Sequence, residues 1–290
     1  MRVLVTGCNG QVGHSLVQQL TGRVELLAVD RVDLDITSQN DVEALVSRFK
    51  PDFIVNAAAH TAVDKAEEEE ALSYAVNCDG PKFLAESAAR VGATLLHIST
   101  DYVFPGNKVG VYSEDDATGP LGVYGKSKLA GELAILDKTD KYIILRTAWV
   151  FGQHGHNFVK TMLRLGEERD VLNIVGDQYG GPTYAGDIAC AFISMMNQLS
   201  KDGDSSRYGI YHFSGAPHVS WCEFAEVIFE EAEEGGLLKA PKITSITTEM
   251  YPTPATRPAN SKMDCAKIES AFNIKPSDWH LALKNINEYV

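Results

Sequence analysis

The glycines of the stretch VTGCNGQVG restrict the fold more than any other feature of the sequence. Gly7, Gly10 and Gly13 stand three residues apart, after the apolar run RVLVT and before a helix-like pattern. Glycine lets the backbone turn sharply and approach a phosphate, and the helix that follows directs free N–H groups and its dipole at an anion. The strand–glycine–helix context therefore predicts a dinucleotide-binding unit, although its glycine spacing is one residue longer than the usual G-x-G-x-x-G.

Strand-like and helix-like patterns alternate through the first half of the chain. After RVLVT come the apolar runs VELLAVD, DFIVNAAA, ATLLHIST and KYIILRT, and the segments 39–49 and 66–90 between them read as helices. Strands that are apolar throughout are typical of a parallel sheet covered on both faces. The alternation predicts an α/β fold with a doubly wound, Rossmann-like parallel sheet and right-handed crossovers.

The second half is less regular and predicts a smaller lobe. The stretch YPTPATRPANSKMD holds three prolines, which favours an extended loop over the interior of a helix or strand. We expect residues 1–150 to form the dinucleotide-binding domain, to which about 184–212 could be added. Residues 151–290 are then a discontinuous, C-terminal substrate lobe.

Charge and composition exclude several classes of function. The net charge of −13 argues against a basic face for nucleic acid. No apolar run reaches the ~20 residues that a membrane helix needs, and the N-terminus lacks the pattern of a signal peptide. The five cysteines form no C-x-x-C pair, so we expect reduced thiols, no metal site of that type and a cytoplasmic protein.

The end of the second strand is where a carboxylate would accept the adenosine ribose hydroxyls of the cofactor. Asp30 fits that position, whereas Arg31 could instead attract a 2′-phosphate, and Asp35 is a second acidic candidate near the adenine. Either NADH or NADPH is therefore compatible with the sequence.

The stretch VYGKSK holds a tyrosine–lysine pair, Tyr124 and Lys128. Residues four apart share one helix face, so both can point at one ligand. A nearby ammonium lowers the pKa of a phenol, and we therefore expect the pKa of Tyr124 to lie below its usual value and the phenol to donate a proton to a carbonyl oxygen. Ser99 and Thr100 end a strand, where open α/β sheets bind ligands, and a hydroxyl there can polarise the same carbonyl.

These motifs resemble the extended short-chain dehydrogenase/reductase superfamily. The stretches NAAAHTAVDKAE, STDYVFPG, VYGKSKLAGE, RTAWVFG and YPTPATRPANS narrow the resemblance to the dTDP-4-dehydrorhamnose reductase family, over nearly the whole chain. The resemblance implies NADPH- or NADH-dependent reduction of the C4 ketone of a dTDP-linked sugar.

The resemblance also implies roles for individual positions. It implies a catalytic set of Thr100, Tyr124 and Lys128. It implies cofactor contacts at Gly7, Gly10, Gln11, Val12, Gly13, Asp30, Asp35, Ile36, Ala59, His60, Thr61, Tyr124 and Lys128. Substrate contacts are implied at Thr61, Val63, Thr100, Asp101, Tyr102 and Trp149, and we add Gln178 and Arg257 as candidates for holding the sugar nucleotide, although Arg257 could instead pair with a surface acid.

Two alternatives to the reductase stay open at this point. A sugar-nucleotide epimerase or dehydratase, or a non-catalytic regulatory subunit of methionine adenosyltransferase, could share the scaffold.

Some members of the family bind magnesium through acidic residues at a dimer interface. His14 and Ser15 stand where one of these acids is expected. Asp187 is an acid at another position and does not by itself indicate a magnesium site. We therefore assign no metal ligand, leave magnesium doubtful, and keep both a monomer and a homodimer.

Overall fold

The computed structural model describes residues 1–202 and 204–290. The strands are β1 (Arg2–Thr6), β2 (Glu25–Val29), β3 (Phe53–Asn56), β4 (Thr94–Thr100), β5 (Tyr142–Thr147), β6 (Val150–Phe151), β7 (Val171–Val175), β8 (Tyr179–Gly180), β9 (Thr183–Tyr184), β10 (Gly209–His212), β11 (Gly215–Ala216), β12 (Val219–Ser220), β13 (Lys242–Ile246) and β14 (Ser277–Asp278). The helices are α1 (Gln11–Leu20), α2 (Gln39–Phe49), α3 (Val63–Ala66), α4 (Glu70–Tyr74), α5 (Gly80–Val91), α6 (Val123–Lys138), α7 (Phe158–Glu168), α8 (Ala185–Asp202), α9 (Trp221–Glu234), α10 (Ala266–Phe272) and α11 (Trp279–Leu283).

The central sheet has six parallel strands in the order β10-β5-β4-β3-β1-β2. The chain runs from β1 outward to β2 and then returns to the other side of β1 to form β3. Ligands bind beyond the carboxyl ends of the strands at such a reversal point. The α/β, doubly wound, Rossmann-like fold class is confirmed.

Both faces of this sheet are covered by apolar side chains. Val3 and Val5 face one core with α1 and α8, whereas Leu4 faces the opposite core with α2 and α5. Alternate residues of a strand point to opposite faces, so a run that is apolar throughout fits only a sheet buried on both sides. Packing on both faces holds the strands in place, and so positions the residues at their carboxyl ends.

The second half of the chain completes the sheet. Strand β10 pairs with β5, and α8 packs its Ile188, Phe192 and Met195 against α1. Both elements lie in the range 184–212 that could be added to the first domain, of which residue 203 is outside the described residues. The division into a cofactor domain and a substrate lobe stays a prediction. Within the described residues, the helices are all too short or too polar to cross a membrane.

Away from the two faces of the sheet, another apolar core lies under α7 and α9, where Phe151, Phe224 and Trp279 pack together; we call it the second core because it belongs to the second half of the chain. Strands β7 and β13 form a parallel pair beside it. Helix α9 begins with a capping box in which Ser220 Oγ accepts from Glu223 N at 3.1 Å and the Glu223 carboxylate accepts from Ser220 N at 2.6 Å. Two N-terminal donors of the helix are thereby satisfied.

The segment 66–90 is not the single helix that its pattern indicates. It is interrupted at 67–69, after α3, and then continues without a gap through α4, one turn of π-helix over Ala75–Asp79, and α5. Pro81, just after the π-helical turn, has no N–H to donate to the preceding turn. The prediction of one helix over 66–90 is therefore confirmed from Glu70 onward and wrong in its first turn, whereas the helix over 39–49 is confirmed as α2.

Candidate active site

A cleft of about 580 Å³ lies at the carboxyl ends of β1, β3 and β4. Its wall includes residues of the glycine loop, the stretch after β3, the end of β4, α6 and the segment after β5. The sequence-predicted site residues that line it are Gly10, Gln11, Val12, Ala59, Thr61, Val63, Thr100, Asp101, Tyr102, Tyr124, Lys128 and Trp149.

The glycine loop has no room for side chains at its first and last glycines. Gly7 has a φ of +69°, and a Cβ there would lie 2.6 Å from Ala58 N. A Cβ at Gly13 would lie 2.1 Å from the Gly7 carbonyl oxygen. Helix α1 begins at Gln11 after an extended Gly10, so its first N–H groups meet the cleft. This cradle fits the pyrophosphate of a nicotinamide dinucleotide.

Tyr124 stands on the first turn of α6 and faces the end of β4. Burial is the main cause that raises the pKa of its phenol, and the hydroxyl of Thr100 opposes the shift. The ring of Tyr102 packs edge-on against it, with 5.4 Å between ring centroids. The expectation of a Tyr124 pKa below its usual value is wrong for this geometry, because desolvation outweighs any nearby positive charge. The phenol is thus held as a proton donor.

Lys128 is buried one turn along α6. Its Nζ donates to the Ile98 carbonyl oxygen at 2.6 Å and lies 3.3 Å from His97 Nε2. Burial lowers the pKa of Lys128 to about 8, against the attraction of Glu132. Glu132 is itself bound to Arg146 and Ser99. The lysine therefore titrates near neutral pH.

Asp101 is buried beside the catalytic candidates. Its carboxylate accepts from Thr100 Oγ1 at 2.9 Å and from Ser261 Oγ. The pKa of Asp101 is raised to about 6, because the effect of burial exceeds the opposite effect of the two hydrogen bonds from hydroxyl groups. The contact with Ser261 connects the end of β4 to the proline-rich loop.

Arg257 lies outside the cleft lining, next to Tyr102, which is part of that lining. Its Nη2 donates to Asp64 Oδ2 at 2.6 Å, and its Nη1 lies 3.5 Å from the Tyr102 hydroxyl. Pairing with an acid was the alternative interpretation of this arginine, and the structure contains that pair. The proline-rich loop is thereby attached to α3, which borders the cleft.

Trp149 has an unusual backbone conformation for a bulky residue. Its φ is +50°, in the region that favours glycine. The indole stacks on Trp221 with 3.5 Å between centroids and 10° between ring planes, and Gly180 leaves space for it. Strained backbone persists only where the surroundings hold it, and often at ligand sites. The packing holds a flat apolar surface at the cleft.

Besides Gly7, Gly13 and His60, the predicted cofactor contacts Asp30, Asp35 and Ile36 lie outside the cleft lining. Asp30, at the end of β2, accepts from Asn9 Nδ2 within the glycine loop and from Val32 N at 2.8 Å. Asp35 is exposed, and its carboxylate accepts from Thr37 N at 3.0 Å. Ile36 is buried in the core, where a Cβ at Gly80 would meet it at 2.7 Å. Their cofactor roles stay predictions.

Two further candidates are held by protein partners. His60 Nδ1 lies 2.9 Å from Ser73 Oγ, and its Nε2 lies 3.1 Å from Glu69. Gln178 is buried and donates to Thr248 Oγ1 at 3.0 Å. Neither residue lines the cleft.

Sequence reasoning missed His97, Trp221 and Ser261. Alternation along β4 places His97 and Ser99 on one face of the strand. Lys128 and Glu132 share one face of α6 and contact that pair. The matching of these two patterns is a signal that could have found His97. The pairing of Ser261 with Asp101, 160 residues apart, left no such signal.

Comparison with known proteins assigns the chain to a family. The model of the RmlD substrate binding domain matches residues 1–290. The chain belongs to this family. A dTDP-4-dehydrorhamnose reductase from Aggregatibacter actinomycetemcomitans is 52% identical over 99% of this chain and 99% of its own length. Every segment of the site described above lies within the matched range.

Solved structures of the family have the same fold. A dTDP-4-dehydrorhamnose reductase from Bacillus anthracis, in complex with NADP, superposes with a TM-score of 0.91 at 37% identity and covers 100% of this chain and 99% of its own. Another, from Clostridium acetobutylicum, has a TM-score of 0.91 at 40% identity and covers 98% of both chains.

Proposed function

We propose that the protein reduces the C4 ketone of dTDP-4-dehydro-L-rhamnose to dTDP-L-rhamnose with NADPH or NADH. The observation that carries this proposal is the convergence of Thr100, Tyr124 and Lys128 with the glycine loop around one cleft. Membership of the RmlD substrate binding domain family and the names of its relatives supply the substrate.

The chain's residues supply a proton and orientation. A bound nicotinamide supplies a hydride to the carbonyl carbon. The Tyr124 hydroxyl gives its proton to the carbonyl oxygen, and the raised pKa means that the phenol is protonated before the reaction. Thr100 Oγ1 donates to Asp101 in the free site, and would redirect its proton to the same carbonyl oxygen and keep Tyr124 in line when the substrate is bound. Lys128 would contact the nicotinamide ribose and, when protonated, stabilise the phenolate that Tyr124 becomes.

The two phosphates of the sugar nucleotide need positive charge in an acidic protein. We assign Arg257 to them, with Trp149 as an apolar surface for the ligand. A guanidinium has five N–H donors, and its contacts to Asp64 and Tyr102 in the described residues use two of them. Charge-assisted hydrogen bonds to phosphate are among the strong ones.

We also propose that the enzyme acts in the cytoplasm and that residues 1–150 with about 184–212 hold the cofactor, and a role for magnesium stays doubtful. A monomer and a homodimer are both compatible with a cleft built from one chain.

The deciding experiment mixes the purified protein with NADPH or NADH and dTDP-4-dehydro-L-rhamnose, with and without EDTA. We expect net oxidation of the added cofactor in both cases, since the ketone consumes one hydride per turnover. An epimerase that recycles its own NAD would oxidise none, and a non-catalytic subunit would form no product. Either result would overturn the proposal.

A paired substitution tests the phosphate contact. We expect Arg257→Ala to raise KM for the sugar nucleotide about tenfold or more, because a hydrogen bond to a charged group contributes roughly 1.5–3 kcal/mol. The Kd for NADPH should stay unchanged. Asp64→Asn is the matched control, because it breaks the same ion pair and keeps the arginine. An equal rise of KM in both variants would mean that only the loop attachment counts.

A further inference from the structure

A chain of buried hydrogen bonds lies behind Lys128, on the side away from the cleft. Thr6 Oγ1 donates to Asn56 Oδ1 at 2.7 Å, and Asn56 Nδ2 lies 3.0 Å from His97 Nδ1. His97 Nε2 then lies 3.3 Å from Lys128 Nζ. Thr6, Asn56 and His97 are at most 1% exposed, and Lys128 is 2% exposed.

The backbone fixes the direction of this chain. Ala58 N donates to Asn56 Oδ1 at 3.2 Å, and a backbone N–H can only donate. The amide of Asn56 is therefore oriented with its oxygen toward Ala58 and its NH₂ toward His97. Turning the amide over would place two donors against each other at Ala58 N, and would remove the acceptor that this N–H finds in the fully buried Asn56 side chain.

The orientation of Asn56 sets the tautomer of His97. An NH₂ group needs an acceptor, so Nδ1 of the neutral ring carries the lone pair and Nε2 carries the proton. The Nε2–H then faces the Lys128 nitrogen. An ammonium has no lone pair to accept this proton, whereas a neutral amine has one.

We propose that His97, oriented by Asn56, is a positioning residue for Lys128: its Nε2–H binds the lone pair of the amine, and so favours the neutral form of the lysine and directs the remaining N–H groups. One of these N–H groups is already given to Ile98 O. The inference rests on the proposed reductase function only for its kinetic consequence, because the hydrogen-bond chain itself needs no ligand.

The charged groups around Lys128 agree with this assignment. On α6 it is flanked by Tyr124, a neutral phenol, and by Glu132, whose carboxylate is bound to Arg146 of β5. From β4 it meets His97, whose pKa is held well below its usual value by burial and by Lys128. Among the described residues, no carboxylate lies within ion-pair distance of Lys128.

The kinetic consequence concerns the alkaline side of the pH profile. If the protonated lysine stabilises the Tyr124 phenolate, kcat/KM falls as pH rises through the pKa of Lys128, which burial places at about 8. Removing the His97 donor stabilises the ammonium relative to the amine, so that pKa rises. The alkaline limb then moves to higher pH by about one unit.

The first measurement uses the unsubstituted protein without cofactor. Long-range ¹H–¹⁵N NMR of the ring nitrogens should show His97 as a neutral imidazole protonated at Nε2. A proton at Nδ1 would overturn the proposal. This measurement decides even if every variant fails to fold, and its outcome is independent of whether the protein reduces any sugar.

The second measurement is the titration of the Lys128 ¹³Cε signal, assigned with Lys128→Met. In His97→Asn the side-chain oxygen still accepts from Asn56, but no donor reaches Lys128, so its titration midpoint should rise by about one pH unit. His212→Asn is the control, because His212 is equally buried in the same sheet and contacts Tyr112 O instead. An unmoved midpoint in His97→Asn, or the same shift in His212→Asn, would refute the role of His97.

Discussion

Tyr124 is the residue on which the proposed chemistry depends most directly. Tyr124→Phe keeps the ring that packs edge-on against Tyr102 and removes only the hydroxyl. General acid catalysis is typically worth about 10²–10⁴-fold, so kcat should fall by that order while the Kd for NADPH stays the same. Steady-state kinetics and a fluorescence titration of NADPH measure the two quantities, and turnover close to that of the parent would remove Tyr124 from the mechanism.

Asp101 is expected to give the protein a pH-dependent stability. Its pKa is raised from 3.8 to about 6, so the folded state holds the proton more tightly than the unfolded state does. The stability that this proton contributes is fully present below the unfolded pKa and is lost as pH rises through about 6. A pKa difference of this size between the folded and unfolded states corresponds to about 3 kcal/mol.

Asp101→Asn removes this titration and keeps the shape, and the hydroxyls of Thr100 and Ser261 can rotate to suit an amide. We therefore expect its unfolding free energy, relative to the parent, to increase by up to about 3 kcal/mol between about pH 4 and about pH 7.5. Urea unfolding of both proteins at each pH measures the difference. A difference that is the same at both pH values would contradict the raised pKa. Activity should fall in the same variant if Asp101 contacts the substrate.

The turn between β1 and α1 depends on two glycines in different ways. Gly13→Ala would place a Cβ 2.1 Å from the Gly7 carbonyl oxygen, against the backbone. We expect a loss of about 1–3 kcal/mol of stability, typical of overpacking, together with weaker NADPH binding as the start of α1 shifts. Gly10→Ala is the control, since its Cβ would meet its nearest neighbour only at 3.3 Å. Calorimetry should show a clearly larger drop in Tm for Gly13→Ala, and equal drops would show that close approach is not the cause.

The elements with strong local patterns are those that the sequence predicts well. The five apolar runs from RVLVT to KYIILRT correspond to β1–β5, because a strand covered on both faces is mostly apolar along its whole length. Strand β10, only Gly209–His212, has a glycine and a histidine in four residues and escapes such a pattern. The two-residue strands of the second lobe pair with distant segments, as β12 does with β8. Such pairings depend on tertiary packing and leave no periodic signal.

The same distinction holds within the candidate site. The spacing of Tyr124 and Lys128 on one helix face is local, and the structure brings both residues to the cleft. The pairing of Arg257 with Asp64, and of Lys128 with His97, joins segments that are distant in the chain. The pKa of Tyr124 depends on how deeply its phenol is buried, and the sequence alone does not show the burial of a residue at the start of a helix. Sequence reasoning therefore placed Tyr124 and Lys128 together and missed the distant segments that surround them.

In the molecule as a whole, the chain passes repeatedly between the second core and the core that α1 and α8 form on one face of the central sheet, which we call the first core. Helices α8 and α10, from the second half, pack with α1 in the core under the central sheet. Strand β6 begins at Val150, at the end of the first half, and pairs with β9 of the second half. Residues from both halves line the cleft, including Gly10 and His156. Such interleaving predicts that the two cores unfold in one cooperative transition.

The tryptophans provide a test, because all three lie in or against the second core: Trp149, Trp221 and Trp279. Phe192→Ala, in α8, removes a fully buried ring from the first core and should cost about 3–5 kcal/mol. If unfolding is cooperative, tryptophan fluorescence must report this loss although the substitution lies in the other core. Phe229→Ala, in α9, is the matched change in the second core. NADPH at about 100 times its Kd should restore about 2.7 kcal/mol to either variant, since ligand binding stabilises the whole cooperative unit. A fluorescence transition that stays at the parental urea concentration in Phe192→Ala, while far-UV circular dichroism shifts, would show that the two cores unfold separately.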